Sequence, residues 1–180
     1  VARVDLGLEI PVEEVPFYQK RIIKLCNKAA KPVIVATQML SSMVESPRPT
    51  RAEASDVYNA IVDGTDAVML SNETTVGEFP VESVRTMTRI ATFADVDSLR
   101  EHPPKRMLGG DIHAEVGQKS ISNAISEAVY HISELLNLRA ILTMTLTGYT
   151  ARLVAHERPH TAILCVTPNE VTYRRMALVW

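Results

Sequence analysis

The sequence predicts an α/β protein with parallel strands, and two observations lead to this prediction. Short, fully apolar segments end in polar residues at regular steps, 32 residues from Asp5 to Thr37 and 34 from Thr37 to Ser71. Helical apolar patterns lie between them, and strands that alternate with helices are buried on both faces of a parallel sheet. A step of about 33 residues fits a (β/α)8 barrel. We therefore expect the last three βα units of such a TIM barrel, followed by a small α/β domain with a mainly parallel sheet.

The barrel part is predicted to begin in a strand and to contain three helices. Residues 1–8 alternate apolar with charged side chains and are interpreted as part of a strand. Pro16 is well placed near the start of the first helix. In the second helix Thr50 is the predicted N-cap, and Glu53 follows it at the spacing of a capping box. Pro80 opens the third helix.

A polar segment with a Pro pair and a Gly pair divides the chain. We expect residues 1–95 to belong to the barrel and residues 96–111 to form a linker. Residues 112–180 would then form a truncated α/β domain.

The α/β domain is predicted to begin with a helix, because eight apolar residues between 121 and 136 follow the helical spacing without a gap. Two apolar segments, residues 140–145 and 161–166, are predicted strands. Each leads into a helix, the first starting near Tyr149 and the second near Pro168.

Composition excludes several functional classes. The chain has 180 residues and a formal net charge of -2, which gives no reason to expect a nucleic-acid or anionic-membrane partner. No apolar run approaches the roughly 20 residues that span a bilayer. Cys26 and Cys165 lie far apart, so we expect two reduced thiols and a cytoplasmic location. The chain starts with Val rather than Met and stops at Trp180, one helix after a strand, so both ends are expected to be cut.

Polar residues at the predicted strand ends are the candidates for chemistry, because barrel active sites lie at the C-terminal ends of the strands. Asp5 is a carboxylate in a standard place for a hard cation such as Mg2+, and it is equally a common type of helix cap. The Thr37 hydroxyl could bond a bound oxyanion or simply the nearby backbone.

Two further segments carry polar clusters. Arg48 and Arg51 could clamp an anion or pair with carboxylates across a subunit contact, or they could belong to a solvated basic loop. Ser71 and Glu73 could hydrogen-bond to the neighbouring strand ends, or form a plain polar strand-to-helix turn.

Taken in order, the segments VARVDLG, KPVIVATQML, PRPTRAE and MLSNET resemble the signatures of the pyruvate kinase family, and the resemblance covers essentially the whole chain. It implies a phosphotransferase of glycolysis that transfers phosphoryl from phosphoenolpyruvate to ADP, giving pyruvate and ATP. It also implies Mg2+ as cofactor, with K+ as a further candidate, and a cytoplasmic homotetramer. This chain would be a fragment, without activity of its own.

The resemblance also implies residue roles. Asp5 would ligate Mg2+, and the backbone at Val4 and Asp5 would hold the substrate carboxylate at a helix start. Thr37 would contact the same substrate and help to protonate the enolate. The remaining candidates would support this site: Gln38, Arg48, Arg51, Ser71 and Glu73.

The chain differs from the family pattern in two places. Val4 stands where the motif usually has Gly, and it cannot easily adopt a positive φ. Asn72 replaces the Gly of the last motif and tolerates left-handed backbone better. The catalytic lysine, the second metal carboxylate and the monovalent-cation ligands would come from a preceding part of the full-length protein.

The α/β domain carries a candidate effector site. Hydroxyls, a glycine and free helix N–H groups can cradle a phosphate, and the resemblance implies a phosphate of a sugar-phosphate activator, whose effect would be allosteric. The loop could also be a plain connection. Its candidate residues are Thr145, Thr147, Gly148, Tyr149 and Thr150.

Two other functions stay open. One is a non-catalytic homologue that acts through effector binding or assembly, for which the Val4 departure is the support. The other is a different Mg2+-dependent barrel enzyme acting on phosphoenolpyruvate or pyruvate, such as an aldolase or lyase. The domain after the barrel argues against the latter, because those enzymes need no such appendage.

Overall fold

The structure is a computed structural model that describes residues 1–101 and 121–179. The chain divides into two compact units, Val1–Arg100 and Glu101–Trp180. Both units combine helices with parallel strands, which confirms the predicted fold class.

In the first unit two short strands pair in parallel, with Ile34 opposite Ala67 and Ala36 opposite Met69. Ala2 forms a further parallel bridge to Ala36 on the other side. The strands are β1 (Ile34–Ala36) and β2 (Ala67–Met69); the helices are α1 (Arg3–Glu9), α2 (Val15–Lys28), α3 (Arg51–Val62), α4 (Asn72–Thr75) and α5 (Pro80–Glu101), with 3-10 turns at Val12–Glu14 and Ser41–Val44.

The prediction of a strand over residues 1–8 was wrong beyond Ala2. The Ala36 amide donates to the Val1 carbonyl at 3.0 Å, as in a parallel ladder, but the Leu6 amide already donates to the Ala2 carbonyl at 3.0 Å and closes a helical turn. Alternation of apolar and charged residues over so short a segment does not separate a strand from a strand end followed by a helix. Asp5 therefore lies in the first turn of α1 and not at the tip of a strand.

The predicted helix signals in this unit are confirmed. A Pro occupies the first turn of α2. At the start of α3 the Thr50 hydroxyl accepts from the Glu53 amide, and the Glu53 carboxylate accepts from the Thr50 amide, which is a complete capping box. Buried side chains of the helices, the strands and the segments next to β1 form one core: Ile23, Val33, Val35, Met39, Leu40, Met43, Val57, Ala60 and Met87.

Helix α5 is longer than the sequence predicted. It runs to Glu101, so residues 96–101 of the predicted linker continue the helix. The rest of that linker prediction falls on residues outside those described. The limits 1–95, 96–111 and 112–180 therefore stay a prediction.

The second unit holds a parallel pair of strands in register over five residues, from Ala140 opposite Ala162 to Met144 opposite Val166. The predicted helix–strand–helix–strand–helix order is confirmed. Its elements are α6 (Ile121–Leu135), β3 (Ala140–Met144), α7 (Tyr149–His156), β4 (Ala162–Val166) and α8 (Glu170–Met176).

Helix α6 buries its small residues rather than its apolar stripe. Ser126 and Ser133 are buried, whereas Ile121 and Leu135 are about four-fifths exposed. Small side chains let α6 approach α7, whose own buried residues include Ala151 and Ala155. In the described part of the chain no helix has both the length and the apolar character that crossing a membrane would require.

Candidate active site

The residue after β1 begins an unusual turn. Thr37 and Gln38 have φ angles of 72° and 52°, so two consecutive non-glycine residues adopt the left-handed conformation. This region is disfavoured for a β-branched residue such as Thr and persists only where the surroundings hold it. The Thr37 hydroxyl donates to the Ala36 carbonyl at 2.6 Å and accepts from the Val4 amide at 3.2 Å. Both partners are backbone groups.

The guanidinium of Arg3 hydrogen-bonds to the backbone of this turn. Nε and Nη2 donate to the Thr37 carbonyl at 3.0 and 2.7 Å, and Nη2 also donates to the Gln38 carbonyl at 2.6 Å. Nη1 pairs with the carboxylate of Asp56 on α3. All three nitrogens are thus engaged, and the side chain is only 10% exposed.

Asp5, in the first turn of α1, follows Val4, whose amide contacts the turn. Its carboxylate is exposed and has no hydrogen-bond partner among the described residues. Within the same residues, no three His, Cys, Asp or Glu side chains lie together as a metal-binding group. A single oxygen donor fits Mg2+, which proteins often hold through one or two carboxylates together with substrate phosphates and water. Asp5 therefore suits one ligand position and does not by itself form a site.

Both departures from the family pattern adopt unstrained backbone. Val4 lies inside α1 and Asn72 opens α4, and neither has a positive φ. The conformational objection to Val4 therefore does not apply in this structure. Its amide still points at the neighbouring strand end, where it meets the Thr37 hydroxyl.

Glu73 is a buried carboxylate, 1% exposed, in the first turn of α4, which follows β2. Its Oε1 accepts from the Leu40 amide at 3.1 Å and its Oε2 from the Ser71 amide at 2.8 Å. The Ser71 carbonyl in turn caps the short helix α4 by accepting from Thr74 and Thr75. Glu73 thus joins the chain after β1 to the chain after β2.

Arg48 and Arg51 are exposed, and neither guanidinium has an ion pair within the described ranges. Glu53, in the first turn of α3, hydrogen-bonds to both ends of the loop that precedes this helix. Burial would raise the pKa of the Glu53 carboxyl, but hydrogen bonds from the hydroxyl and amide of Ser42 and from Thr50 outweigh it and lower the pKa. Glu53 thereby fastens both ends of the loop that carries Arg48.

In the second unit the candidate effector loop lies between β3 and α7. Gly148 has a φ of 79°, and a Cβ there would lie 2.5 Å from Cε of Met176 on α8. The Gly148 amide donates to the Thr145 hydroxyl at 3.0 Å, and the Tyr149 amide approaches the Thr147 hydroxyl at 3.4 Å. Thr147, Tyr149 and Thr150 are exposed at the start of α7.

The structure brings together some of the predicted site residues and not others. Val4, Thr37 and Gln38 are joined directly or through Arg3, while Glu73 holds the amide of Leu40 two residues further on. Among the described residues, the side chains of Arg48 and Arg51 form no hydrogen bond or ion pair with this group. Arg3 and Asp56 were not among the candidates predicted from the sequence. The available signal was an arginine between apolar residues, directly after a segment predicted to be buried, because a buried arginine must find partners.

Comparison with known proteins supports one family. The model of the pyruvate kinase barrel domain matches residues 1–84, and that of the pyruvate kinase alpha/beta domain matches residues 123–180. Over all 180 residues the chain is 53% identical to pyruvate kinase 2 of Synechocystis and 53% identical to the pyruvate kinase of Geobacillus stearothermophilus. It spans 29% and 30% of the lengths of those two proteins.

A solved structure agrees. The crystal structure of a pyruvate kinase from Cryptosporidium parvum superposes with a TM-score of 0.85 at 38% identity, over 99% of this chain and 35% of that one. The fold is that of part of a barrel protein, followed in the chain by an α/β domain. In the barrel part, polar residues at the strand ends lie around a left-handed turn. The chain belongs to the pyruvate kinase family.

Proposed function

We propose that this chain is part of a Mg2+-dependent pyruvate kinase of glycolysis, which transfers phosphoryl from phosphoenolpyruvate to ADP and yields pyruvate and ATP. The observation that carries the proposal is the juxtaposition at two adjacent strand ends. The Val4 amide meets the Thr37 hydroxyl at 3.2 Å, one residue before the free carboxylate of Asp5. A backbone donor, a hydroxyl and a metal-type carboxylate are thereby offered to one anionic substrate.

Asp5 would hold the metal. When bound, Mg2+ would polarise the substrate and neutralise the charge that develops during phosphoryl transfer. Asp5 contributes one ligand, and the remaining ligands, like any for K+, would come from substrate and from the rest of the full-length protein.

Val4 and Thr37 would bind the substrate. The start of α1 offers backbone amides to the carboxylate of phosphoenolpyruvate, as helix N-termini do for anions. The Thr37 hydroxyl would exchange its backbone partners for this carboxylate and would help to deliver a proton to the enolate that remains after phosphoryl transfer. Gln38, Ser71 and Glu73 would support the site at the turn. Arg48 and Arg51 would also support it, either by clamping an anion or by pairing with carboxylates across a subunit contact of a homotetramer.

The test is turnover of the full-length protein that contains this chain. Pyruvate should form only when phosphoenolpyruvate, ADP and Mg2+ are all present, and omission of any one should abolish it. A folded full-length protein without turnover under these conditions would support the non-catalytic homologue instead.

We also propose that the loop 145–150 binds a phosphate of a sugar-phosphate activator. The exposed side chains of Thr147 and Thr150 lie on either side of the left-handed Gly148 at the entry to α7, and they support this role. Titration of the full-length enzyme with sugar monophosphates and bisphosphates should shift the substrate saturation curve. The double variant Thr147→Ala/Thr150→Ala should lose that shift, and an identical response would leave the loop as a connection only.

The cellular setting belongs to the same proposal. A glycolytic enzyme with two unpaired cysteines, Cys26 and Cys165, is expected to work in the reducing cytoplasm.

A further inference from the structure

We infer that Arg3 is the positioning residue of Thr37: its guanidinium holds the left-handed turn at Thr37 and Gln38 in place and ties that turn to Asp56 on α3. The inference rests on the proposed function, because it concerns the residue that would bind and protonate the substrate.

The turn needs an external hold. Thr37 and Gln38 both have positive φ, and neither is a glycine, so the isolated backbone would favour other conformations. The direction of the Thr37 hydroxyl depends on this backbone, because its side chain is branched at Cβ and has few rotamers. If the turn relaxed, the hydroxyl would no longer face the start of α1.

Arg3 provides the hold with matching geometry. Its guanidinium contacts the carbonyls of both strained residues, at 3.0 and 2.7 Å for Thr37 and 2.6 Å for Gln38. The pair with Asp56 balances the charge of this largely buried side chain. A planar fork can bind two carbonyls and a carboxylate at once, whereas the single ammonium of lysine cannot span all three groups.

Two further hydrogen bonds fix the turn, one just after it in the chain and one at the Thr37 hydroxyl. The Leu40 amide donates to the buried carboxylate of Glu73 at 3.1 Å. Val4, the neighbour of Arg3 in α1, donates its amide to the Thr37 hydroxyl. One short helix therefore sets the backbone of Thr37, the position of its hydroxyl and the position of the Asp5 carboxylate.

The test is a double-mutant cycle on kcat in the full-length enzyme. Arg3→Lys should lower kcat by about 10- to 100-fold, the scale of a slightly misplaced reacting group, with a smaller change in the KM for phosphoenolpyruvate. Arg3→Lys combined with Thr37→Ala should be no slower than Thr37→Ala alone, because Arg3 acts through Thr37. Arg21→Lys, the same change at an exposed arginine of α2, is the matched control and should leave kcat unchanged. Losses that multiply in the double variant would overturn the inference.

A second readout does not depend on the role of Thr37 in catalysis. Glycine accepts the left-handed conformation at no cost, so Gln38→Gly should raise the Tm of Arg3→Lys by more than it raises the Tm of the wild type. Equal shifts in the two backgrounds would show that Arg3 does not hold the turn. If Thr37→Ala leaves kcat unchanged, the proposed role of Thr37 fails, while this Tm coupling still decides whether Arg3 holds the turn.

Discussion

At the scale of single residues, the candidate active site depends on backbone conformation as much as on side chains. Val4 donates its amide and Thr37 accepts it, and the side chain of Val4 takes no part in that bond. Because Val4 is helical, the glycine usual at this position is not required by the backbone.

This leads to a prediction for Val4→Gly in the full-length enzyme. The substitution keeps the amide and removes bulk beside the proposed substrate position, so kcat should stay similar and the KM for phosphoenolpyruvate should stay similar or fall. Steady-state kinetics of the two proteins measure this. A large loss of activity would mean that the site is built around the valine side chain.

Gly148 gives a second prediction at this scale. Its φ of 79° and the close approach of Met176 both oppose a Cβ, so Gly148→Ala should destabilise the full-length protein by about 1–2 kcal/mol. Gly7→Ala is the control, because Gly7 lies inside α1 and its Cβ would meet nothing nearer than Val15 at 3.7 Å. Thermal unfolding should show a lower Tm for the first variant only; equal values would show that the left-handed conformation is not needed.

At the scale of elements, the sequence predicted those helices and strands whose signals are local. The capping box at Thr50 and Glu53 and the unbroken spacing in α6 are such signals. The strand predicted over residues 1–8 was wrong after Ala2, because over so few residues the same apolar and charged pattern fits a strand and a short helix. The hydrogen bonds of Arg3 could not be predicted, because they join residues 34 and 53 positions apart in the chain. The outward orientation of the apolar stripe of α6 is likewise set by packing against α7.

The loop before α3 should have a pH-dependent stability. The pKa of Glu53 is lowered in the folded state from its ordinary value of 4.5, so its stabilising effect is present above that pH and is lost as the pH falls through the lower native pKa. Glu53→Gln should cost about 1 kcal/mol of the free energy of unfolding at pH 7, as loss of a cap does. Between about pH 5 and pH 3 this difference should shrink.

Urea unfolding of wild type and Glu53→Gln across this pH range measures the effect. Glu45 is exposed in the same loop region and takes no part in the capping box, so Glu45→Gln serves as the control. A difference between wild type and Glu53→Gln that stays constant with pH would contradict the assigned hydrogen bonds.

At the scale of the whole molecule, the chain carries only part of what its proposed function needs. Three βα units cannot close a barrel, and the paired strands β1 and β2 leave a sheet edge open. The isolated 180-residue chain should therefore show no pyruvate kinase activity and should associate or be poorly soluble. Pyruvate formation from phosphoenolpyruvate and ADP by this chain alone would refute its description as a fragment.

The central claim is that the start of α1 is the metal-dependent end of a phosphoryl-transfer site. The most direct measurement is the rate of pyruvate formation by the full-length enzyme as a function of Mg2+ concentration, for wild type, Asp5→Asn and Glu9→Gln. Asp5→Asn should lower turnover by roughly 10²-fold or more and weaken the response to Mg2+, because a charged ligand is lost at the reacting phosphoryl group. Glu9→Gln, at an exposed carboxylate in the last turn of the same helix, should behave like wild type. Unchanged rate and unchanged Mg2+ dependence in Asp5→Asn would contradict the claim.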